Sequence, residues 1–532
     1  MKRLIAGLWI VMLLGALTLR AQSGPSSIGR EVSVPVHLHD GEEFSLLLPA
    51  LLAHGLGLFN ATWTEQEGGG RPLTKGTGRP LADPSRPLTG ARAFNRLSAP
   101  DAGSCAACHN VPYGIVGGGG DFVTNVFLLG QRFDFLTFDP ADTLPTRGTV
   151  DESGEAASLQ NAVDLRATTG MFGAGYLEML ARQMTNELQK IRGTMRLGDT
   201  KDLVAKGIRF GKLTLTKEGL WDTSKVEGLG RLSLITAGST SPPTLVIRPW
   251  HQASNVVSLR EFTNTAFNQH HGIQSTERFG LDADPDGDGF TNELTRADVT
   301  AVTVWQATLQ VPGRVIPRDL EIERAVLVGE RAFRRIGCAT CHVPRLPLDK
   351  QGWIYSEPNP FNVAGNLRSG ETRDLKVDLS SDVLPAPRLR PTGETVWVEA
   401  YTDFKLHDIC EPGQAEPLDM NQSQWSKMLR EGNCRFLTKR LWGAANEPPF
   451  FHHGLFTTLR QAVLAHAGEA KPSRVAFEAL PAFERDGLIE FLKTLQVLPP
   501  GTKDRIVNET YHARSWPPQT STQDAVGWEH TK

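Results

Sequence analysis

The sequence predicts a mainly α-helical protein with long loops and a small β-sheet in its first half. Apolar residues recur at helical spacing over 322–336 and again over 488–495. The 532 residues include 52 Gly and 34 Pro, which interrupt the periodic segments and favour long loops. Between 206 and 248, β-branched patches such as LTLT and LVIR favour the small sheet.

Composition limits the classes of partner. Hydrophobic residues make up 40% of the chain, enough for a large core in two or more domains. Lys and Arg total 56 against 59 for Asp and Glu, so the chain lacks the basic excess of nucleic-acid-binding proteins. We therefore expect no nucleic-acid partner.

The first 21 residues are typical of a secretory signal peptide. Met1, Lys2 and Arg3 precede an apolar run that ends at Arg20 and Ala21. An uncleaved membrane anchor is the alternative, but this run is shorter than the roughly 20 residues that span a bilayer. No later segment is long and apolar enough to span. We therefore expect a periplasmic or otherwise exported protein, with 1–21 removed and no membrane span in the mature chain.

Two C-x-x-C-H strings carry the strongest chemical signal. They consist of Cys105, Cys108 and His109, and of Cys338, Cys341 and His342. The spacing presents two thiols to the vinyl groups of one haem and places the adjacent His under the iron. A thioredoxin-like pair or a zinc site also uses C-x-x-C, but neither explains the adjoining His in both copies. The sequence predicts two covalently bound c-type haems, with His109 and His342 as iron ligands.

The periodic segments frame the second haem string. The helix predicted over 322–336 leads directly into Cys338, and the segment 488–495 forms a closing helix before Pro499. Two helices crossing over a haem resemble the arrangement of cytochrome c domains. We expect two cytochrome c-like haem domains, the first over 22–310 and the second over 311–532.

An acidic loop in the first domain fits a calcium-binding signature. The candidate ligands are Asp282, Asp284, Asp286, Asp288 and Glu293. Carboxylates at alternate positions converge on a hard cation, and Gly287 permits the sharp turn. A second register starts at Asp284, and a calcium loop of non-EF-hand type fits as well. The remaining alternative is a solvated acidic turn without metal.

Cys410 and Cys434 are the two cysteines outside the haem strings. In an oxidising compartment this pair favours one disulfide across a 24-residue separation. Two buried free thiols are the alternative.

Several stretches together resemble the bacterial di-haem oxidoreductase family, also called thiol oxidoreductase-like, which is related to the di-haem cytochrome c peroxidases. They are GERAFRRIGCATCHVPRL around Cys338, DGDGFTNELTRADVTAVT around Glu293, YTDFKLHD ending at Asp408, and LWGAANEPPFFHHGLFTTLRQAVLAHAGEA over 441–470. Two positions depart from the family pattern. His453 stands where the family usually has Asp, and Cys410 where many relatives have Met.

The resemblance implies further haem ligands. His466 follows His452 by 14 residues, the separation that implies the sixth ligand of the second haem. Its alternative is a histidine favoured by a helix C-terminus. At the first haem, His270 and His271 are the leading candidates, either as a removable ligand or as an acid–base group, against an alternative as surface histidines. His407 and His452 are further candidates, with hydrogen-bonded structural roles as the alternative.

The resemblance also implies an acidic group near the first haem. Glu178, in RATTGMFGAGYLEML, matches such a position and could shuttle a proton. We name Glu178 and His271 as the catalytic candidates, and a solvent-facing helical Glu is the alternative for Glu178.

These features predict a di-haem oxidoreductase of peroxidase type. One haem receives single electrons from a small donor protein or a quinol-linked donor, and the other reduces a small oxidant such as hydrogen peroxide. A pure electron-transfer cytochrome is the main alternative. Oxidation of a thiol, a sulfur compound or a protein side chain is the other.

Overall fold

The computed structural model describes residues 28–69, 96–99, 103–129, 163–236, 240–284, 288–416, 419, 421–422, 428 and 431–517. The signal peptide predicted over 1–21 lies outside the described residues, as does Asp286 of the calcium loop. Within the described residues, no helix combines the length and apolar character needed to cross a membrane.

Helices and many short strands alternate along the described chain. The α-helices are α1 Leu48–Asn60, α2 Cys105–Cys108, α3 Ala174–Gly193, α4 Arg231–Leu234, α5 Leu259–Ala266, α6 Thr276–Phe279, α7 Arg296–Ala307, α8 Leu320–Arg335, α9 Leu459–Leu464, α10 Lys471–Glu478 and α11 Ala482–Lys493. Single turns of 3-10 helix lie at Glu42–Phe44, Glu65–Glu67, Cys338–Thr340 and Gly468–Ala470, and a π-helical turn spans Phe267–His271.

The described strands form small sheets of two or three strands. They are β1 Arg96–Ala99, β2 Gly120–Leu129, β3 Val163–Thr168, β4 Thr200–Ala205, β5 Ile208–Leu215, β6 Trp221–Asp222, β7 Gly313–Val315, β8 Leu346–Asp349, β9 Ile354–Glu357, β10 Leu375–Asp378, β11 Thr395–Val398, β12 Leu406–Asp408, β13 Arg435–Leu437, β14 Leu495–Gln496 and β15 Ile506–Val507. Their orders are β1-β2-β3, β4-β5-β6, β10-β9, β11-β8, β12-β13 and β14-β7-β15. All pairs are antiparallel except β7 with β15.

The predicted small sheet in the first half is confirmed by β4-β5-β6. LTLT lies at the end of β5, whereas LVIR is a buried segment outside any strand. The expected predominance of helix is only partly met, because the structure is 32% helical and 16% strand. Apart from β2 and β3, which have ten and six residues, the additional sheets come from strands of two to four residues, too short to produce a recognisable alternation in the sequence.

Each haem string lies beside a pair of helices that cross at a glycine. In the second half, a Cβ on Gly329 of α8 would lie 1.9 Å from the Gly487 carbonyl of α11, so only glycine permits this approach. In the first half, a Cβ on Gly55 of α1 would lie 2.2 Å from the Ala301 carbonyl of α7. The sequence analysis predicted the crossing helices of the second half but missed α1.

The buried core has two main parts. The larger extends from Leu38 to Val497 and includes α3, α7 and β8, so strands beyond position 311 pack into the same core as the first half. The smaller lies between α8 and α11, around Phe333 and Phe491. The domain boundary at 310/311 stays a prediction.

Candidate haem sites

The second C-x-x-C-H string lies directly after α8. Gly337 turns the chain with a φ of 91°, a left-handed conformation that glycine adopts readily. The following 3-10 turn presents Cys338 and Cys341, both half-buried. Both thiols and His342 line one cavity, as covalent attachment of a single haem requires.

His342 and His466 both line this cavity with one ring nitrogen free. The Nδ1 of His342 donates a hydrogen bond to Tyr401 O at 3.2 Å, and the Nδ1 of His466 donates to Ala462 O at 2.8 Å. The ring centroids lie 6.3 Å apart. Two imidazoles that bind one transition-metal ion through Nε2 at about 2.0–2.1 Å have centroids roughly 6 Å apart. The separation of the two rings therefore fits two imidazoles that would hold one iron between them.

Both imidazoles are neutral near pH 7, the form that binds metal ions. Burial lowers the pKa of His342 to about 4, and the nearby His466 adds to this effect. Burial also lowers the pKa of His466 below its usual value.

The walls of this second-site cavity are mainly apolar. The cavity has a volume of about 190 Å³. Its apolar lining includes Phe333, Leu441, Leu459, Val463, Leu488 and Leu492. Two thiols, two neutral imidazoles and apolar walls suit a flat, largely apolar porphyrin, so the residues present fit a haem.

His407 lies beside the same cavity but has both ring nitrogens engaged. Its Nδ1 lies 2.7 Å from a Glu469 oxygen, and its Nε2 lies 2.8 Å from an Asp403 oxygen. Burial opposes protonation, yet hydrogen bonds with Asp403, Cys341 and Glu469 raise the pKa of His407 to about 11. His407 is therefore an imidazolium near pH 7, and the structure favours its hydrogen-bonded role.

His452 forms part of the cavity wall through its ring face. The ring stacks on Phe436 with a centroid distance of 3.7 Å, and its Nε2 donates to Glu416. Arg166 donates to the other oxygen of Glu416 at 2.5 Å. The charges of Glu416 and Arg166 thus hold His452 in place.

The first C-x-x-C-H string comprises α2 and the adjoining His109. A Cβ on Gly120 would lie 1.8 Å from Cys108 O, so the glycine run packs backbone against backbone on this string. This packing brings Gly118 O to 3.0 Å from the Nδ1 of His109, which donates to it. Burial lowers the pKa of His109 to about 4, so this imidazole is also neutral near pH 7.

A π-helical turn brings both candidate histidines to the first string. Phe267–His271 continues α5 in π-helical form, a feature frequent at functional sites. His270 and His271 line a cavity of about 50 Å³ together with Cys105 and His109. His271 is buried, and its Nε2 lies 3.2 Å from Cys105 Sγ.

The first site has the same thiol and imidazole donors as the second, and its walls include Phe59, Phe262 and Val302. The donor set fits a haem, and the cavity is the smaller of the two. The assignment of individual ligands and catalytic groups here stays a prediction.

Glu178 is buried within α3 and does not line the described cavity of either haem site. It pairs with Arg182 one turn later and accepts hydrogen bonds from Leu259 N at 2.7 Å and Asn359 Nδ2 at 2.8 Å. The alternative of a solvent-facing Glu is wrong because the side chain is fully buried. The carboxylate holds the N-terminus of α5, which carries Phe262 and Thr263 to the first site.

The acidic loop is described except at 285–287. Asp284 accepts hydrogen bonds from the backbone N–H groups of Asp288 and Gly289, and Asp282 pairs with Asn292. Glu293 is buried and accepts from Gln274 N at 2.8 Å. Calcium binding by this loop stays a prediction.

Cys410 and Cys434 are joined by a disulfide, with their Cα atoms 5.3 Å apart, which confirms the interpretation of the remaining pair. The bond closes the segment that carries Glu416, the partner of His452. It therefore ties the wall of the second site to β12 and β13.

Sequence reasoning missed the acidic partners of the histidines. Glu416 lies 36 residues from His452, and Glu469 lies 62 residues from His407. No motif connects such positions. It also missed Lys439 and Arg440, two consecutive cations near both sites.

Comparison with protein-family models supports the resemblance over part of the chain. Residues 390–495 match the family model described as "Di-haem oxidoreductase, putative peroxidase", so the relationship inferred from the sequence is confirmed over this segment. Among solved structures, the chain is similar to "a MauG-like protein associated with microbial copper homeostasis", at 16% identity, covering 62% of this chain and 92% of that chain with a TM-score of 0.23. No curated protein matches the sequence.

Proposed function

We propose, on the premise that this chain is related to the di-haem oxidoreductases, that it is an exported di-haem c-type cytochrome enzyme that reduces peroxide. Each C-x-x-C-H string attaches one haem through its two thiols. Single electrons come from a small donor protein or a quinol-linked donor. The second site relays them to the first, where the oxidant reacts.

The His342–His466 pair is the observation that carries this proposal. Centroids 6.3 Å apart and two Nδ1 atoms bonded to backbone carbonyls leave both Nε2 atoms for one iron. An iron with two axial histidines has no open position, and its potential is lower than with a His/Met pair. The second site is therefore suited to electron transfer rather than to binding a substrate.

The first site is suited to chemistry because two histidines lie beside its haem string. The haem supplies the redox chemistry when bound. Peroxide takes up two electrons and two protons, its O–O bond breaks, and two waters form. His271 serves as the base that takes a proton from one peroxide oxygen and returns it to the departing oxygen. His270 serves as the removable ligand.

Glu178 supports this site from a distance. Its hydrogen bond to Leu259 N fixes the first turn of α5, and α5 continues into the π-helical turn that carries His271. We assign Glu178 a positioning role, whereas its part in proton transfer stays a prediction from the sequence.

A pure electron-transfer cytochrome is the second candidate. It is favoured by the buried position of His271 beside Cys105, from which the imidazole could bind the first iron permanently. The coordination of the first iron discriminates between the two functions.

Electron paramagnetic resonance of the holoprotein, fully oxidised and half-reduced, tests the proposal. We expect signals from two ferric haems in the oxidised protein. On half-reduction the low-spin signal of the second site should disappear, because its reduced iron gives no signal, and the ferric haem of the first site should become high-spin. His271→Ala should slow peroxide consumption while both haems are retained, and the exposed His39→Ala serves as control. Low-spin signals alone, both before and after half-reduction, would contradict the enzyme and leave the electron carrier.

We also propose that the acidic loop binds a structural calcium ion. The motif supplies carboxylates at alternate positions, and Asp284 and Asp288 are half-buried next to each other. Calorimetric titration of chelator-treated holoprotein with calcium should show one site, which Asp284→Asn abolishes and the exposed Asp486→Asn does not. An unchanged titration with Asp284→Asn would contradict the site.

A further inference from the structure

Two consecutive cations, Lys439 and Arg440, follow β13 on a fixed stretch of backbone. The N–H of Thr438 donates to Lys405 O at 2.9 Å, and the N–H of Leu441 also donates to a backbone carbonyl, at 3.0 Å. The positions of the two side chains are therefore set by hydrogen bonds on both sides of them.

Both cations line a small cavity between the two haem sites, with a volume of about 40 Å³. This inter-site cavity shares Gln252 and Lys439 with the wall of the second-site cavity. It is also lined by His251, whose ring lies 5.4 Å from Phe262, a residue of the first-site wall. Lys439 therefore reaches the second site, whereas the other side of the inter-site cavity adjoins the first.

The two cations lack matching negative charge. Within the part of the chain that the structure describes, neither side chain forms a hydrogen bond or an ion pair within 4.0 Å. The carboxylate that acts on both from a longer distance is Glu447, whose Oε1 accepts a hydrogen bond from Gly119 N at 3.1 Å.

Burial lowers the pKa of Lys439 and lowers that of Arg440 to about 10, the direction expected for cations without close partners. Lys439 and Arg440 are half-buried. Removing an unpaired charge from water, even in part, is costly, so two cations facing one carboxylate indicate that a further anion belongs between the sites.

We propose that Lys439 and Arg440 form a carboxylate-binding subsite for the propionate side chains of the haems, an inference that rests on the haem occupancy proposed above. A haem carries two propionates at one edge, and an arginine can bind a carboxylate through two parallel hydrogen bonds. Lys439 serves the haem of the second site, whose cavity it lines. Arg440 serves the haem of the first site, because it lines the inter-site cavity together with His251, which contacts the first-site wall at Phe262.

The subsite has a consequence for the potential of each haem. A nearby positive charge favours the reduced iron, which carries one positive charge fewer than the oxidised iron. Replacing Lys439 by glutamine should therefore lower the potential of the second haem more than that of the first. Replacing Arg440 by glutamine should lower the potential of the first haem more than that of the second. Charge-conserving variants should restore both potentials.

The test uses the holoprotein with Lys439→Gln and Arg440→Gln, and with Lys439→Arg and Arg440→Lys as rescues. Matched controls are Lys493→Gln and Arg390→Gln, at exposed positions that line neither cavity. Haem content is measured first. Potentiometric titration then assigns a potential to each haem, and redox-induced infrared difference spectra with carboxyl-labelled haem follow the propionates.

The subsite is supported if each glutamine variant lowers mainly the potential of its own haem and shifts the propionate bands. The charge-conserving variants should then restore the potentials. If the glutamine variants keep two haems but have the same potentials and propionate bands as the controls, the subsite proposal is overturned. The proposed function then stays intact. Titration with inorganic phosphate separates a free anion from a propionate. The proposal is also overturned if phosphate changes the haem potentials of the unmodified protein while the glutamine variants show no shift of the propionate bands. Absence of haem from the unmodified protein overturns the proposed function and this inference together.

Discussion

Glu178→Gln tests what the buried charge of α3 contributes to stability and to the first haem site. Glu178 is fully buried, and the side chain of its partner Arg182 is 5% exposed. The carboxylate also accepts hydrogen bonds from Leu259 N and Asn359 Nδ2. Glutamine preserves the shape of the side chain but removes its charge and one of its two acceptor oxygens.

The expected loss of stability follows from the charge and the hydrogen-bond donor that Glu178→Gln leaves without a full partner. Arg182 keeps one carboxylate, an oxygen of Glu357 at 3.9 Å. Removing one member of a buried ion pair costs about 3–5 kcal/mol. One of the two N–H donors, from Leu259 or Asn359, also loses its acceptor, at about 1–3 kcal/mol. Because Glu357 compensates in part, we expect the free energy of unfolding to fall by about 3–5 kcal/mol.

Urea unfolding of the holoprotein, followed by circular dichroism, measures this loss. The matched control is Glu490→Gln, which removes an exposed pair with Lys493 and should cost less than about 1 kcal/mol. The double variant Glu178→Gln/Arg182→Met should lose less than the sum of its single variants, because it leaves no unpaired charge.

The kinetic outcome separates positioning from proton transfer. A positioning role predicts an unchanged pH profile of peroxide reduction in the fraction that stays folded. A loss of stability below about 1 kcal/mol, combined with an altered pH profile, would refute this reasoning and favour the proton shuttle.

Three further outcomes follow from the structure. His466→Gly should convert the second haem from low-spin to high-spin in its optical and resonance spectra, and added imidazole should restore it; a spin state that does not change contradicts the ligand assignment. Gly329→Ala should lower the free energy of unfolding by about 1–3 kcal/mol, because its new methyl group forces α8 and α11 apart. Gly57→Ala, whose methyl group meets open space in α1, should not destabilise the protein. Equal effects of the two variants would exclude the close crossing of α8 and α11. The raised pKa of His407 means that its contribution to stability is complete below pH 6.5 and is lost as pH rises through about 11. The difference in unfolding free energy between the unmodified protein and His407→Gln should therefore shrink from pH 7 to pH 11, and a constant difference would refute the imidazolium.

Features that depend on residues close together in the chain could be predicted from the sequence. The C-x-x-C-H strings and the helix α8 that leads into Cys338 follow from spacing within short segments. The approach of His270 and His271 to Cys105 was expected from the resemblance, but their π-helical turn has no sequence signature that the analysis used.

The remaining features depend on distant contacts. The short strands β8 to β13 are set by pairing with remote segments, which overrides weak local preference. The pairs His407–Asp403 and His452–Glu416 depend on how loops cross the second site. Lys439 and Arg440 have no motif at all, since their importance comes from the cavity that the fold builds around them.

The ligation proposed for His342 and His466 would also set a problem for the folding chain. His342 and His466 lie 124 positions apart, whereas His407 lies 65 positions from His342. Halving a loop makes its closure easier by about 0.6 kcal/mol, so an iron attached at His342 meets His407 sooner than its native partner. The acids Asp403 and Glu469 occupy both nitrogens of His407, and Glu416 occupies the Nε2 of His452. These carboxylates thus oppose binding of the iron by His407 or His452. The identity of the sixth ligand therefore depends on them as well as on His466.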